Sequence, residues 1–192
     1  MSRPILLLSF VFSTFLTLIS CSAEPSASSS PEETAANRNL LRAMELVDAG
    51  VRNYFSGESM SMARYYNPYT ESASGERGSV WMYTSSIEAV NAIMHTLVTQ
   101  KNLGYSSMYD KYFDKYSDLQ RMLFEGAQYY KGTFTLVSYT QTREWSVYAV
   151  NRAGAPGTAD VSGVMNVYDD QQWLIREWIE AYRLTGDERY LH

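Results

Sequence analysis

The stretch that decides the fold runs from Asn166 to Gly186 and reads NVYDDQQWLIREWIEAYRLTG. Its apolar residues return every three or four positions, which places them on one side of an α-helix. That side carries Leu174, Trp178, Ala181 and Tyr182. Gly186 stands where helices commonly end in a left-handed residue. The stretch therefore predicts an amphipathic helix, in which Arg176 and Glu180 can pair across one turn.

Two adjacent carboxylates, Asp169 and Asp170, stand at the start of this helix between Tyr168 and Trp173. Glycoside hydrolysis needs two carboxyl groups, and aromatic faces suit the apolar face of a sugar ring. Two like charges this close also raise one pKa, which a general acid near neutral pH requires. The alternative is a helix cap, because Asp169 and Gln172 have capping-box spacing and acidic residues are stabilised at a helix N-terminus.

Three further helices and a β-ribbon are predicted before this stretch. The helices cover Asn37–Phe55, Ser85–Gln100 and a segment from Ser106 or Ser107 through Leu123. The second helix is expected to begin at Ser85, because Ser85 and Glu88 have capping-box spacing, and Ser59–Val80 is expected to be a loop. Residues 133–140 and 144–150 are rich in β-branched and aromatic residues, which predicts the ribbon. A short connection predicts that the second and third helices are antiparallel.

The N-terminus has the pattern of a signal peptide. Arg3 precedes an apolar run, Ile5–Ile19, that is too short to span a membrane comfortably. The run ends in Leu-Ile-Ser before Cys21, which resembles the lipobox of bacterial lipoproteins, so Cys21 is the expected lipidation site and the cell envelope the expected location. An ordinary secretory signal is the alternative. We expect a signal peptide over residues 1–20, a flexible tether over 21–33 and the folded domain over 34–192.

The composition excludes several classes of function. The chain has 21 acidic and 16 basic residues, the opposite of the balance that nucleic-acid binding favours. Cys21 is the only cysteine, so an internal disulfide is excluded, and its use as an anchor leaves no thiol for catalysis or for a metal. Only His95 and His192 offer imidazole, so we expect neither a histidine-rich metal site nor a cofactor.

The segments Val167–Trp173 and Glu180–Leu191 resemble glycoside hydrolase family 76, the endo-α-1,6-mannanases. They share an Asp-Asp pair beside a tryptophan and a helix that ends in Leu-Thr-Gly-Asp. The segment Trp81–Tyr112 is similar to the family's first helix hairpin. The resemblance implies cleavage of α-1,6-mannosidic bonds in α-mannan with retention and without a metal. It also implies that Asp169 is the nucleophile and Asp170 the general acid/base.

The fold that this resemblance implies is all-α. It is the N-terminal part of an (α/α)6 toroid of antiparallel helix hairpins, here with a short β-ribbon insertion. Such a toroid needs about a dozen helices, so we expect a C-terminally truncated form whose own activity is open. The candidate sugar contacts are Tyr168, Trp173 and Trp81.

Two other functions stay open for a lipid-anchored protein with these aromatic residues. The first is a non-catalytic glycan-binding lipoprotein at the surface, since binding needs the adjacent aspartates less than hydrolysis does. The second is transglycosylation, in which the glycosyl intermediate passes to a sugar instead of to water. In every case the expected partners are a polysaccharide and, through the anchor, a membrane.

Overall fold

The computed structural model describes residues 31–163 and 167–192, and within these ranges the chain is mainly helical. The helices are α1 (Pro31–Tyr54), α2 (Val80–Asn102), α3 (Ser107–Ala127) and α4 (Tyr168–Thr185). The strands are β1 (Phe55–Ser56), β2 (Ser61–Met62), β3 (Tyr66–Asn67), β4 (Ser72–Ala73), β5 (Lys131–Val137) and β6 (Thr142–Tyr148). Short 3₁₀ turns cover Gln128–Tyr130 and Glu188–Leu191. The predicted signal peptide and the predicted lipidation site Cys21 lie outside the described residues.

Helix α2 runs antiparallel to both α1 and α3. Near its end, the Nε2 of Gln100 donates to the Oδ1 of Asn37, near the start of α1, at 3.1 Å. Near its beginning, the hydroxyl of Tyr83 donates to the carbonyl of Leu123, near the end of α3, at 3.0 Å. The antiparallel pairing of the second and third helices, predicted from their short connection, is confirmed.

Helix α4 lies beside α2 and points in the same direction. Trp81, in the first turn of α2, meets Trp173 near the start of α4, with ring centroids 5.8 Å apart. Further along both helices, the Nδ2 of Asn91 donates to the carbonyl of Glu177 at 2.8 Å. Because both pairs advance together along the two helices, the beginnings of α2 and α4 lie at the same end of the bundle.

The apolar faces of the helices meet in one core. Its fully buried apolar side chains include Val80, Tyr83, Ile87, Val90, Met94, Leu97, Tyr116, Leu123, Tyr130, Leu174 and Ala181. Removing this apolar surface from water is the main term that holds the helices together. The predicted apolar face of α4 is confirmed, since Leu174, Trp178 and Ala181 are buried and Tyr182 packs against the core partly buried.

Strands β5 and β6 form the predicted ribbon as an antiparallel hairpin, although each strand begins two residues earlier than predicted. Opposite residues include the aromatic pair Phe134 and Trp145. The root of the hairpin is held by the loop that follows it, because the amide of Ala159 donates to the carbonyl of Lys131 at 3.0 Å.

The predicted start of α2 at Ser85 is wrong. The helix begins at Val80, where Ser79 is the N-cap and its hydroxyl accepts from the amide of Met82 at 3.4 Å. The amide of Val80 donates to the carbonyl of Val150 at 2.9 Å. This contact with a loop 70 residues further along the chain fixes the start of α2, and local spacing cannot reveal it.

The predicted end of the first helix is off by one residue, but its predicted start at Asn37 is six residues too late, and α3 continues four residues beyond the predicted Leu123. Helix α1 begins at Pro31, so the last three residues of the range predicted as a tether are helical. Gly186 ends α4 as predicted, with a φ of 72° and an amide that donates to the carbonyl of Tyr182 at 2.7 Å. The carboxylate of Asp187 then caps the last 3₁₀ turn through the amide of Arg189, at 3.1 Å. Among the described helices, none has the length and apolar character needed to cross a membrane.

Candidate functional site

The long connections lie at the end of the bundle where α2 and α4 begin. Strands β1–β4 lie between α1 and α2, and the β5–β6 hairpin lies between α3 and α4. At the other end, residues 103–106 alone join α2 to α3. Loops that a rigid scaffold positions carry binding and catalytic residues more often than the scaffold does. We therefore expect a functional site where α2 and α4 begin.

Asp169 and Asp170 lie inside the first turn of α4, in different surroundings. Val167 holds the N-cap position, and its apolar side chain makes no cap hydrogen bond. Neither aspartate therefore caps the helix, so the alternative explanation of the pair as a cap has no hydrogen bond to support it. The side chain of Asp169 is exposed, whereas Asp170 is only 9% exposed.

The carboxyl group of Asp170 holds a proton more readily than an ordinary aspartate does. Burial raises the pKa of the Asp170 carboxyl above its usual value, and the negative charge of Asp169 raises this pKa further. A carboxyl group with a raised pKa keeps its proton to a higher pH, as a general acid near neutral pH requires. Asp169 is the carboxylate that a substrate can reach from solvent.

A side-chain amide fastens the start of α4 to the end of β6. The amide of Tyr148 donates to the Oε1 of Gln171 at 2.9 Å, and the Nε2 of Gln171 donates in return to the carbonyl of Tyr148. Gln171 thus satisfies both backbone groups of Tyr148, as a neighbouring strand would. Because Gln171 follows Asp170 directly, this bond fixes the carboxylates relative to the root of the hairpin.

Trp81 and Trp173, two of the predicted sugar contacts, lie together in the structure. Their rings meet edge to face at 65°, and the side chain of Trp81 is 57% exposed. Trp173 follows Asp169 by four residues and Asp170 by three, so all three side chains lie on the same side of α4. Tyr168, the third predicted contact, is 83% exposed at the first position of the helix. We call the Trp81–Trp173 pair the indole corner.

Sequence reasoning missed Glu88, which binds the indole corner from α2. Its Oε2 accepts from the Nε1 of Trp173 at 3.1 Å, and its Oε1 accepts from Arg176 at 3.2 Å. The pairing considered between Arg176 and Glu180 is not formed, and Glu180 lies 3.6 Å from Arg183 instead. In the sequence, the one local signal at Glu88 was its capping-box spacing from Ser85. The observed helix begins at Val80, so Ser85 and Glu88 do not form a capping box. The partners of Glu88 are more than 80 residues away.

Within the described parts of the chain, no group of three or more His, Cys, Asp or Glu side chains is placed to hold a metal ion. Comparison of this chain with protein-family models, with curated proteins and with solved structures finds no match. The features of this end of the bundle that bear on function are the carboxylate pair, the raised pKa of Asp170 and the indole corner on the same side of α4.

Proposed function

We propose that this chain carries the carboxylate pair of a retaining glycoside hydrolase that cleaves α-1,6-mannosidic bonds. One observation carries the proposal: two adjacent carboxyl groups at the start of α4 lie in different surroundings, with Asp170 buried and its pKa raised beside an exposed Asp169. Retaining enzymes use one carboxylate as a nucleophile and one carboxyl group as an acid. They hold the two groups roughly 5–5.5 Å apart.

In the first step, a carboxylate oxygen of Asp169 attacks the anomeric carbon and the glycosidic C–O bond breaks. Asp170 gives its proton to the leaving oxygen, so the leaving chain departs as an alcohol and Asp169 carries a glycosyl ester. In the second step, the carboxylate of Asp170 takes a proton from water while the water oxygen attacks the same carbon. This releases Asp169 and returns the proton to Asp170, and two inversions give net retention.

The substrate class comes from the resemblance to family 76, and the indole corner fits it. The broad faces of tryptophan rings pack against the apolar face of a pyranose. Trp173 lies on the same side of α4 as both aspartates, so a sugar bound at the reactive pair has an aromatic surface within one helical turn. Tyr168 offers a further exposed ring.

The helix directions support the finer proposal for the fold, the N-terminal part of an (α/α)6 toroid. Such a toroid alternates an outer and an inner helix, so consecutive inner helices are parallel. Helices α2 and α4 are parallel neighbours, and α2 is antiparallel to α1 and α3. In this proposal α2 and α4 are inner helices whose N-terminal ends carry the site. A lipid anchor at Cys21 would place the enzyme at the bacterial cell envelope.

The test is to incubate the gene product with linear α-1,6-mannan and to follow the release of mannooligosaccharides. The wild-type protein is expected to release oligosaccharides whose new ends first appear as the α-anomer, and both Asp169→Asn and Asp170→Asn are expected to abolish release. Glu76→Gln is the matched control, because Glu76 is an exposed carboxylate that pairs only with Arg64 among the salt bridges described. Full activity in Asp169→Asn would refute the proposed mechanism.

A non-catalytic glycan-binding protein is the second candidate. The observation that favours it is the exposure of the rings of Trp81 and Tyr168, which can bind sugar without any chemistry. Saturable binding of mannan by the wild type without cleavage, unaltered in Asp169→Asn, would favour this function over hydrolysis.

A further inference from the structure

Three polar side chains fill the interface between α2, α3 and α4. The Nε2 of Gln120 on α3 donates to the Oδ1 of Asn91 on α2 at 2.8 Å. The Nδ2 of Asn91 donates to the Oε2 of Glu177 on α4 at 3.0 Å, in addition to its bond to the carbonyl of the same residue. All three residues are buried. Their positions are therefore fixed by packing as well as by hydrogen bonds.

This buried group continues outward to the indole corner. Arg176 donates through its Nε to the Oε1 of Glu177 at 2.8 Å, and its Nη2 lies 2.7 Å from the same oxygen. The same Nη2 donates to the Oε1 of Glu88, whose Oε2 accepts from the indole nitrogen of Trp173. An unbroken series of hydrogen bonds thus leads from Gln120 inside the bundle to the ring of Trp173 at its surface.

The outer part of this series contributes little to stability. Glu88 and Arg176 have half-exposed side chains, and solvent screens an exposed ion pair strongly. These outer hydrogen bonds have a larger effect on the orientation of Trp173. An indole has a single N–H donor, so one bond to it restricts the rotation of the whole ring. Arg176 is itself held by the buried Glu177, so Glu88 is held in turn.

We propose that Glu88 is a positioning residue that holds the ring of Trp173 as a sugar-stacking surface beside Asp169 and Asp170. The inference rests on the proposed glycosidase function. Glu88 touches neither the sugar nor the reacting atoms, and it acts by presenting the face of Trp173 in one orientation against Trp81. A binding surface ordered before the substrate arrives loses less rotamer entropy on binding. Glu88 therefore governs affinity for the mannan chain more than the rate of bond cleavage.

The experiment compares Glu88→Ala with Glu88→Gln in the gene product acting on linear α-1,6-mannooligosaccharides. In Glu88→Ala the indole loses its acceptor, and KM is expected to rise about tenfold with kcat within about threefold of wild type, since tenfold corresponds to the 1.4 kcal/mol of one good aromatic contact. Glu88→Gln keeps a side-chain oxygen for the indole, so its KM is expected to stay within about threefold. Glu76→Ala removes a carboxylate from an exposed ion pair elsewhere and is the control.

A second readout separates positioning from folding. In the NMR spectrum of the protein labelled with ¹⁵N at tryptophan, the indole N–H signal of Trp173 is expected to move and broaden in Glu88→Ala and to stay sharp in Glu88→Gln. Thermal melting shows whether each variant is folded. A folded Glu88→Ala protein with wild-type KM, or with a lowered kcat at wild-type KM, would overturn the positioning role and leave the hydrolase proposal standing. A wild-type protein that neither cleaves nor binds the mannan would overturn both.

Discussion

One amide nitrogen of Asn91 on α2 donates to two oxygens of Glu177 on α4, the main-chain carbonyl at 2.8 Å and the carboxylate Oε2 at 3.0 Å. A buried carboxylate is tolerated only when it has partners, and these bonds require one alignment of the two helices. In that alignment Trp81 meets Trp173. The polar contact inside the bundle and the aromatic contact at the candidate site are thus two consequences of one helix packing.

Replacing Asn91 with leucine is expected to lower the free energy of unfolding by about 2–3 kcal/mol, because a hydrogen bond to a buried charged group contributes about that much. The leucine has a similar volume, so the loss reports the polar contact rather than a cavity. Urea unfolding at neutral pH measures it. The control Asn39→Leu makes the same change on the exposed face of α1 and should stay within about 0.5 kcal/mol of wild type. Equal stability of the two variants would mean that Glu177 finds other partners.

Gly126→Ala is expected to destabilise the protein by about 2–3 kcal/mol, because overpacking a rigid core has a cost of that size. A Cβ at this position would clash with the hydroxyl of Tyr83 and would stand 2.8 Å from the Cβ of Met60. The clash outweighs the gain of about 1 kcal/mol that alanine normally gives in a helix. Thermal melting measures the difference.

Gly50→Ala is the matched control, since Gly50 lies in α1 and a Cβ there meets nothing within 4 Å. Helix propensity is then the only change, and the variant should be more stable by about 0.5–1 kcal/mol. The two substitutions are chemically identical and are expected to differ in sign. If both stabilise the protein, the close approach of α3 to the β1–β2 segment is not present in solution.

Asp170→Asn is expected to stabilise the folded protein near neutral pH and to abolish the proposed hydrolysis. Because the pKa of Asp170 is raised on folding, the folded state binds its proton more tightly than the unfolded state does. Its contribution to stability is therefore present below the ordinary aspartate pKa and is lost as the pH rises through the raised one. The melting temperatures of variant and wild type should differ most at neutral pH and converge at acidic pH. A variant less stable than wild type at every pH would contradict this.

Asp160→Asn is expected to change the stability in the opposite direction and to destabilise the folded protein near neutral pH. Hydrogen bonds from the hydroxyl and the amide of Ser162 lower the pKa of Asp160 below its usual value. The contribution of Asp160 to stability is therefore present above the ordinary aspartate pKa and is lost as the pH falls through its lowered pKa. The two asparagine variants should diverge from wild type in opposite directions, which separates the effect of each carboxylate from a general effect of pH.

The sequence predicts those parts of the fold that depend on local pattern. The apolar face of α4 follows from helical spacing, and the end of this helix follows from Gly186, which adopts a left-handed conformation without a Cβ penalty. The β5–β6 ribbon follows from β-branched and aromatic composition. In the candidate site, the carboxylate pair and Trp173 were recognisable because chemistry and spacing coincide within eight residues of sequence.

The parts that were missed depend on contacts between distant segments. Ser79 and Ser85 are both acceptable N-caps, and the choice between them is made by the bond from Val80 to Val150. Arg176 has Glu180 one turn away, yet it pairs with Glu177 and with Glu88 of another helix. In each case local spacing favours the alternative that the structure does not adopt, so only the packed structure decides between them.

Gln171→Leu is expected to lower kcat of the proposed hydrolysis by about tenfold while KM and the fold are retained. The leucine keeps the volume but removes both hydrogen bonds to the backbone of Tyr148, so the first turn of α4 loses its attachment to the hairpin root. Misplacement of a catalytic group by about 1 Å can cost up to about 100-fold in rate, and loosening the turn is expected to cause part of that loss. Gln172→Leu, one residue further on at an exposed position, is the control and should retain wild-type kcat. Steady-state kinetics on linear α-1,6-mannooligosaccharides measures both variants. If Gln171→Leu raised KM tenfold at unchanged kcat, the attachment would serve substrate binding, and the carboxylates would be held in place by the rest of α4.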